Sequence, residues 1–378
     1  MLNRQELVTL SQCHDSTRPV VSLYLKVDRQ SPEPKHVIRF KNLVQQAEER
    51  RGDFSTDTWQ SITDDLERAR ATIRDEYARG SQSLVIFGSG EHLWKVYELP
   101  YEVPTALYLE EQPVLRPLFR LLQRFDRYLA ILVDQHRARL FMVTPDGAEE
   151  VAVTEQEFPI GEHDQGGWAQ GRFERHREHH VHRHYKAAND LAFEIFRHRG
   201  YNGVVLLGTE ETTSALREEL HPYLQKLVLA SEPMSLDASA STVGRRVMEI
   251  ARGARRERQR QMLDDFEAEI KSSGALAVEG LEETLRATQQ GQLLTLLLQE
   301  DLKVEGGRCS QCDALTIETQ GDCPYCGGTI VRLDDVVESL VSRAYQQDAE
   351  VIFLATDGGA SRLKPYGGIG ATLRFALT

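Results

Sequence analysis

Two CxxC pairs, CSQC at Cys309 to Cys312 and CPYC at Cys323 to Cys326, stand ten residues apart and run into Gly327 and Gly328. Four thiolates at that spacing can close a tetrahedron around one Zn²⁺, and with every ligand position taken such a site is structural. The segment is too short to bury a core of its own, so the metal would hold its two knuckles together. The expectation is a four-cysteine zinc ribbon at about residues 305–330, liganded by Cys309, Cys312, Cys323 and Cys326; the alternative is a set of reduced cysteines without metal. The fifth cysteine, Cys13, is remote from these, so no distributed disulfide framework is expected and a reducing cytoplasm fits. The opening MLNRQELVTLSQ has no basic stretch followed by an apolar one, and no run approaches eighteen apolar residues, which argues against secretion and membrane spanning.

A chain of 378 residues exceeds one ordinary core and predicts two or three domains. The apolar run VVSLYLKV at 20–27, charged helical stretches around 39–51 and 57–79, and strands at 83–89 and 92–99 read as an α+β domain over 1–125. A second domain, 126–272, opens with YLAILVD and ARLFMVT flanking a turn at 134–137. A histidine-rich helix follows, then the strand VVLLG, a helix at about 212–227 and a highly charged helix ending near Lys271. The segment SSGALAVEG reads as a boundary. Residues 273–378 alternate helix and strand as an αβα layered domain, with the cysteine segment inserted after its first strand. The fold class expected is therefore α/β and α+β, multidomain.

The stretch GEHDQGGWAQGRFERHREHHVHRHY, residues 161–185, concentrates latent positive charge in a chain whose net charge is −13. At 100° per residue, Arg172, His176, His179, Arg183 and Lys186 fall on one face of a helix, and Val181, Tyr185, Ala188, Ala192, Ile195 and Phe196 on the other. Glu174 and Glu178 sit in its first turns, where carboxylates complement the helix dipole. The apolar face should pack on the strands at 128–143 and 204–208. The other leaves a basic, protonatable ridge behind an exposed loop tip. Such a ridge suits sequence-independent contact with phosphates of a structured RNA, with Arg175 adding to it; the bland alternative is a solvated charged face.

The order of domains, a Gly-Gly…Gln tip before an arginine-rich helix, and a cysteine ribbon inside the last domain resemble the archaeal and eukaryotic class-one peptide-chain release factor superfamily. That superfamily includes Pelota-like rescue factors and a bacterial branch. GGWAQGRF is similar to its catalytic-loop region and YGGIGATLRF, 366–375, to its typical ending. The resemblance implies a ribosomal partner, rRNA and peptidyl-tRNA included, and hydrolysis of the ester joining nascent peptide to tRNA. Carried over, Gly166 and Gly167 would allow close backbone approach and Gln170 would supply the amide, orienting water while a backbone N–H stabilises the oxyanion. Here Trp168 and Ala169 stand between the glycines and the glutamine. Trp168 could stack on an unpaired base or pin the loop to its own domain. No Asn-Ile-Lys-Ser tetrapeptide is present, so stop-codon decoding is not inherited, and KHVIRFKN at 35–42 is a phosphate-contact candidate only.

Three classes of function remain. The first is a ribosome-dependent hydrolase or rescue factor acting through Gln170, with a translational GTPase as a further partner. The second is a factor that occupies the tRNA site during stalling or dormancy without hydrolysis. The third makes metal ligands of His176, His179, His180, His182 and His184, some of which share i,i+4 spacing, although no H-E-x-x-H arrangement is present.

Overall fold

The computed structural model describes residues 4–13, 18–27, 35–75, 81–124, 126–155, 169–272, 275–355 and 359–376. These form two compact units, Arg124–Gln261 and a unit that joins Met1–Gln123 to Met262–Thr378.

The joined unit contains two sheets. Its N-terminal part runs α1 (Arg4–Ser11), β1 (Val20–Lys26), α2 (Lys35–Glu48), α3 (Thr56–Asp75), β2 (Ser83–Ser89), β3 (Leu93–Leu99), β4 (Ala106–Glu110) and α4 (Arg116–Arg124). The strands pair antiparallel in the order β3-β2-β1-β4. Val21, Leu23 and Leu25 of β1 meet Phe40 of α2 and Ile62, Leu66 and Ala69 of α3. The alternation of β1 thus places every second side chain under the two helices. Neither β4 nor α4 was expected from the sequence.

The other unit runs β5 (Tyr128–Val133), β6 (Arg137–Thr144), β7 (Gly147–Glu155), α5 (Ala169–Arg199), β8 (Gly203–Gly208), α6 (Glu210–Glu219), α7 (Pro222–Gln225), β9 (Val228–Pro233) and α8 (Ala240–Lys271), the last extending past this unit's limit at Gln261. The sheet order is β7-β6-β5-β8-β9, with β8 parallel to both β5 and β9. Leu129, Ile131, Val133, Val204 and Leu206 pack with Tyr185, Ala188 and Ala192 of α5, whereas Tyr128, Ala130, Leu132, Val205 and Leu207 pack with Val243, Val247 and Ala251 of α8. Both faces are covered, so β5 and β8 read as unbroken apolar runs. The single helix expected at 212–227 is two: Pro222 has no N–H to continue α6 and instead starts α7, with His221 as its cap.

The C-terminal part of the joined unit runs β10 (Ala277–Glu279), α9 (Gly280–Gln289), β11 (Leu293–Gln299), β12 (Gly306–Cys309), β13 (Leu315–Thr316), β14 (Ile330–Leu333), α10 (Val336–Gln346), β15 (Glu350–Leu354), α11 (Ala360–Leu363) and β16 (Ile369–Leu373). Four strands form a sheet in the order β10-β16-β11-β15, and β13-β12-β14 form a separate antiparallel ribbon. The ribbon follows the second strand of the sheet, not the first. β10 is a three-residue edge strand inside SSGALAVEG, too short to show alternation, and the glycines around it read as a boundary.

Within this unit the N-terminal and C-terminal parts are joined by α4. Glu338 accepts the backbone N–H groups of Leu115 at 2.6 Å and Arg116 at 2.9 Å, and Arg116 reaches Asp335 at 2.7 Å. Phe119 stacks on Tyr345 with centroids 3.8 Å apart. Arg120 pairs with Glu300, and Arg308 at the end of β12 pairs with Glu111.

Candidate functional site

The four cysteine sulfurs lie within 4.8 Å of one another. Cys309 Sγ is 3.4 Å from Cys326 Sγ, and Cys312 Sγ is 3.6 Å from Cys323 Sγ. Sulfurs around one zinc at about 2.3 Å would be about 3.8 Å apart, so the donor set fits that ion in chemistry and in size. Backbone N–H groups of Gln311 and Tyr325 point at the first sulfur of each pair, both at 3.4 Å, and that of Gly328 points at Cys326 Sγ at 3.4 Å. Such donors favour the thiolate that a metal requires. Each knuckle closes on a left-handed residue, Asp313 at φ 59° and Gly327 at φ 75°. Gly307 is also required: a Cβ there would meet Ile330 Cγ2 at 2.3 Å and the Glu318 carbonyl at 2.4 Å. The CxxC spacing thus brings together the four residues it singled out.

The second candidate region is α5. Gly166, Gly167 and Trp168 lie outside the described residues. Gln170, Arg172, Arg175 and His176 belong to the first turns of α5 by their backbone, and their side chains are outside the described set. Further along, His179, Arg183 and Lys186 are exposed, and Arg183 Nη2 lies 2.7 Å from His180 Nδ1. Opposite them Tyr185, Ala188 and Ala192 are buried, with Val181, Ile195 and Phe196 packed at the margin of the same core. From His179 onward, the described part of the ridge and its apolar back are phased as the sequence predicts.

Two features of α5 were not legible. His182, beside the ridge, pairs with Glu219 of α6 at 3.0 Å. His184 is fully buried, and neither ring nitrogen has a partner in hydrogen-bond geometry, although the turn backbone at Arg137 lies close. Burial holds this ring below the ordinary histidine range, against the opposing pull of that backbone and of Asp134. At 100° per residue His184 falls about 20° from Ile195 on the apolar arc, so the period places it beside the core, and only its residue type hid its burial. Among the described residues the four cysteines are placed closely enough to hold a metal, and His179, His180, His182 and His184 are not brought together in that way.

Residues 113–252 match the family model for bacterial archaeo-eukaryotic release factor family 10, and residues 257–377 match eRF1 domain 3. Peptide chain release factor subunit 1 of Archaeoglobus fulgidus is 30% identical over 312 residues, covering 77% of this chain and 76% of that protein. Its counterpart from Pyrococcus abyssi is 26% identical over 312 residues, 75% of each chain. Among solved structures, Dom34 of S. cerevisiae, a translation termination-like factor, aligns over 99% of this chain and 94% of its own at 10% identity with a TM-score of 0.47. At that score the superposition adds nothing to the sequence match. Identity and coverage of this extent, together with the two family matches in sequence order, make the chain a member of the archaeo-eukaryotic class-one peptide-chain release factor superfamily.

Proposed function

We propose that this protein is a ribosome-binding, release-factor-like translation factor that promotes hydrolysis of peptidyl-tRNA, in rescue or quality control rather than stop-codon decoding. The observation that carries the reading is the position of Gln170 in the first turn of α5, at the leading end of a helix that exposes His179, Arg183 and Lys186. A cationic helix of this kind can enter an RNA-walled pocket tip first, with Arg172, Arg175 and His176 extending the same ridge toward phosphates. There the Gln170 amide would orient water, and backbone N–H groups would stabilise the oxyanion that develops. Gly166 and Gly167 would allow close approach of the backbone, and Trp168 would contact an unpaired base. Cys309, Cys312, Cys323 and Cys326 would hold a structural Zn²⁺ with no role in the reaction. A translational GTPase is the further partner that a release-factor role brings with it.

One observation favours a second reading, occupancy of the tRNA site without hydrolysis. α5 begins at Ala169, so Gln170 is held in helical backbone and separated from Gly167 by two residues. Measuring ribosome binding and release of peptide from ribosome-bound peptidyl-tRNA separately decides between the two. Gln170→Ala should slow release by about 10²-fold while leaving binding nearly unchanged, the scale of losing one transition-state donor. If the unaltered protein binds tightly and releases no peptide, the occupancy reading replaces the hydrolase. Absence of ribosome binding would overturn both.

A further inference from the structure

On the sheet face opposite α5, the first part of α8 carries six arginines between Arg245 and Arg260 besides Arg258, and they divide into two kinds. Arg246 pairs with Glu232 at 2.6 Å and Glu249 at 2.9 Å, Arg255 pairs with Asp126, and Arg260 pairs with Glu257 at 2.5 Å. Arg245, Arg252 and Arg256 are exposed and have no carboxylate partner among the described residues; the Arg256 Nε only reaches the carbonyl of Arg252 at 3.4 Å. Shortage of acid is not the cause, since the chain has 58 Asp and Glu against 45 Lys and Arg.

The three unpaired arginines share one stripe. At 100° per residue they lie within about 40° of one another, opposite the buried Val243, Val247 and Ala251, and they span about 16 Å of helix. Glu249 falls beside them but is taken by Arg246. Arg252 and Arg256 are like charges at i,i+4, an arrangement that weakens a helix unless something outside it supplies the counter-charge. Three guanidinium forks in a row suit a repeating phosphate chain better than one small anion.

We infer that Arg245, Arg252 and Arg256 form a second RNA-backbone contact, on the face of this unit opposite the α5 ridge, so that the unit grips RNA on two sides. The identity of the polyanion as RNA rests on the ribosome-bound reading above; the stripe itself does not.

The test is binding to ribosomes from the same cells over about 50–200 mM salt. The triple variant Arg245→Gln, Arg252→Gln, Arg256→Gln should bind more weakly, with a log–log salt slope shallower by about 2 to 3, because each lost phosphate contact removes nearly one released counterion. The triple Arg→Lys variant keeps the charge and should keep the slope, which separates phosphate contact from damage to the helix. Arg183→Gln with Lys186→Gln serves as the parallel α5 variant. If the α5 variant weakens binding and the α8 Gln variant has the affinity and slope of the unaltered protein, the α8 contact is overturned and the ribosome reading stands. Loss of slope in the Lys variant equal to that in the Gln variant also overturns the contact.

Discussion

In the unit that joins the two ends of the chain, Arg116 and Arg308 are turned inward; in the unit between, Arg183 of α5 and Arg245, Arg252 and Arg256 of α8 are turned outward. Arg116 is 14% exposed and held by Asp335, Glu338 and the Leu302 carbonyl, and Arg308 is 5% exposed against Glu111 and Asp313. Lys186, Arg245, Arg252 and Arg256 face solvent with no acid to meet among the described residues. The first set is already neutralised and desolvated, so it contributes to a unique docking of two sheets and is closed to any partner. The second keeps its hydration and its counterions, which is the state in which a cation can bind phosphate and gain from counterion release. An arginine's role here is set by whether a carboxylate reaches it, since the residue type is the same in both regions.

The largest effect expected is in the inward-facing unit. Cys309→Ser removes one of the four proposed thiolate ligands and should abolish zinc retention and disorder about residues 305–330. Metal-coupled folding of small sites is worth about 10 kcal/mol or more. Leu297 and Leu354 of the adjoining sheet, with Leu363 of α11, have a core independent of the cysteines and should stay ordered. Zinc content and amide exchange check both halves, and loss of the sheet along with the ribbon would contradict them.

Smaller, and aimed at the docking itself, is Glu338→Ala. It strips two backbone N–H groups and part of the Arg116 guanidinium of their acceptor and should lower the stability of that unit by about 3 kcal/mol. The salt slope of ribosome binding should stay the same once the folded fraction is matched. A fall in slope would break the division between structural and available cations.

The smallest effect is one of pH, and its sign differs between the two units. Glu110 is pushed up to about 7, first by burial and then by Asp334. The folded unit therefore keeps a proton that the unfolded chain gives up near 4.5, and this contribution is present below that value and fades as pH rises through 7. His184 is held below 6.5 by burial. The unfolded chain takes a proton that the folded unit refuses, so the middle unit weakens as pH falls below about 6.5. The Glu110 slope should be on the order of 1 kcal/mol in thermal unfolding between pH 5 and 8, and the His184 slope should have the opposite sign. Glu110→Gln should remove only the first; slopes of the same sign in both units would overturn the assignment.

Much of this was legible in the residues themselves. The CxxC spacing singled out four cysteines whose sulfurs converge, the apolar runs at 20–27, 83–89, 128–133 and 204–208 are strands, and the 3.6-residue period of α5 separated ridge from core. These are local matters: ligand spacing, a period of two or of 3.6, and a side chain's distance along one helix. The edge strands β7 and β10 escaped because their signal is weak, β7 reading as charged GAEEVAVTE and β10 being three residues long. The pairing of Arg116 and Leu115 with Glu338, more than 220 residues away, was decided only by tertiary structure. The pairs of Arg246 with Glu249 and of Arg260 with Glu257 are i,i+3 neighbours that a helix brings together by itself, whereas the acids that meet Arg116, Arg255 and Arg308 depend on how distant segments close on one another.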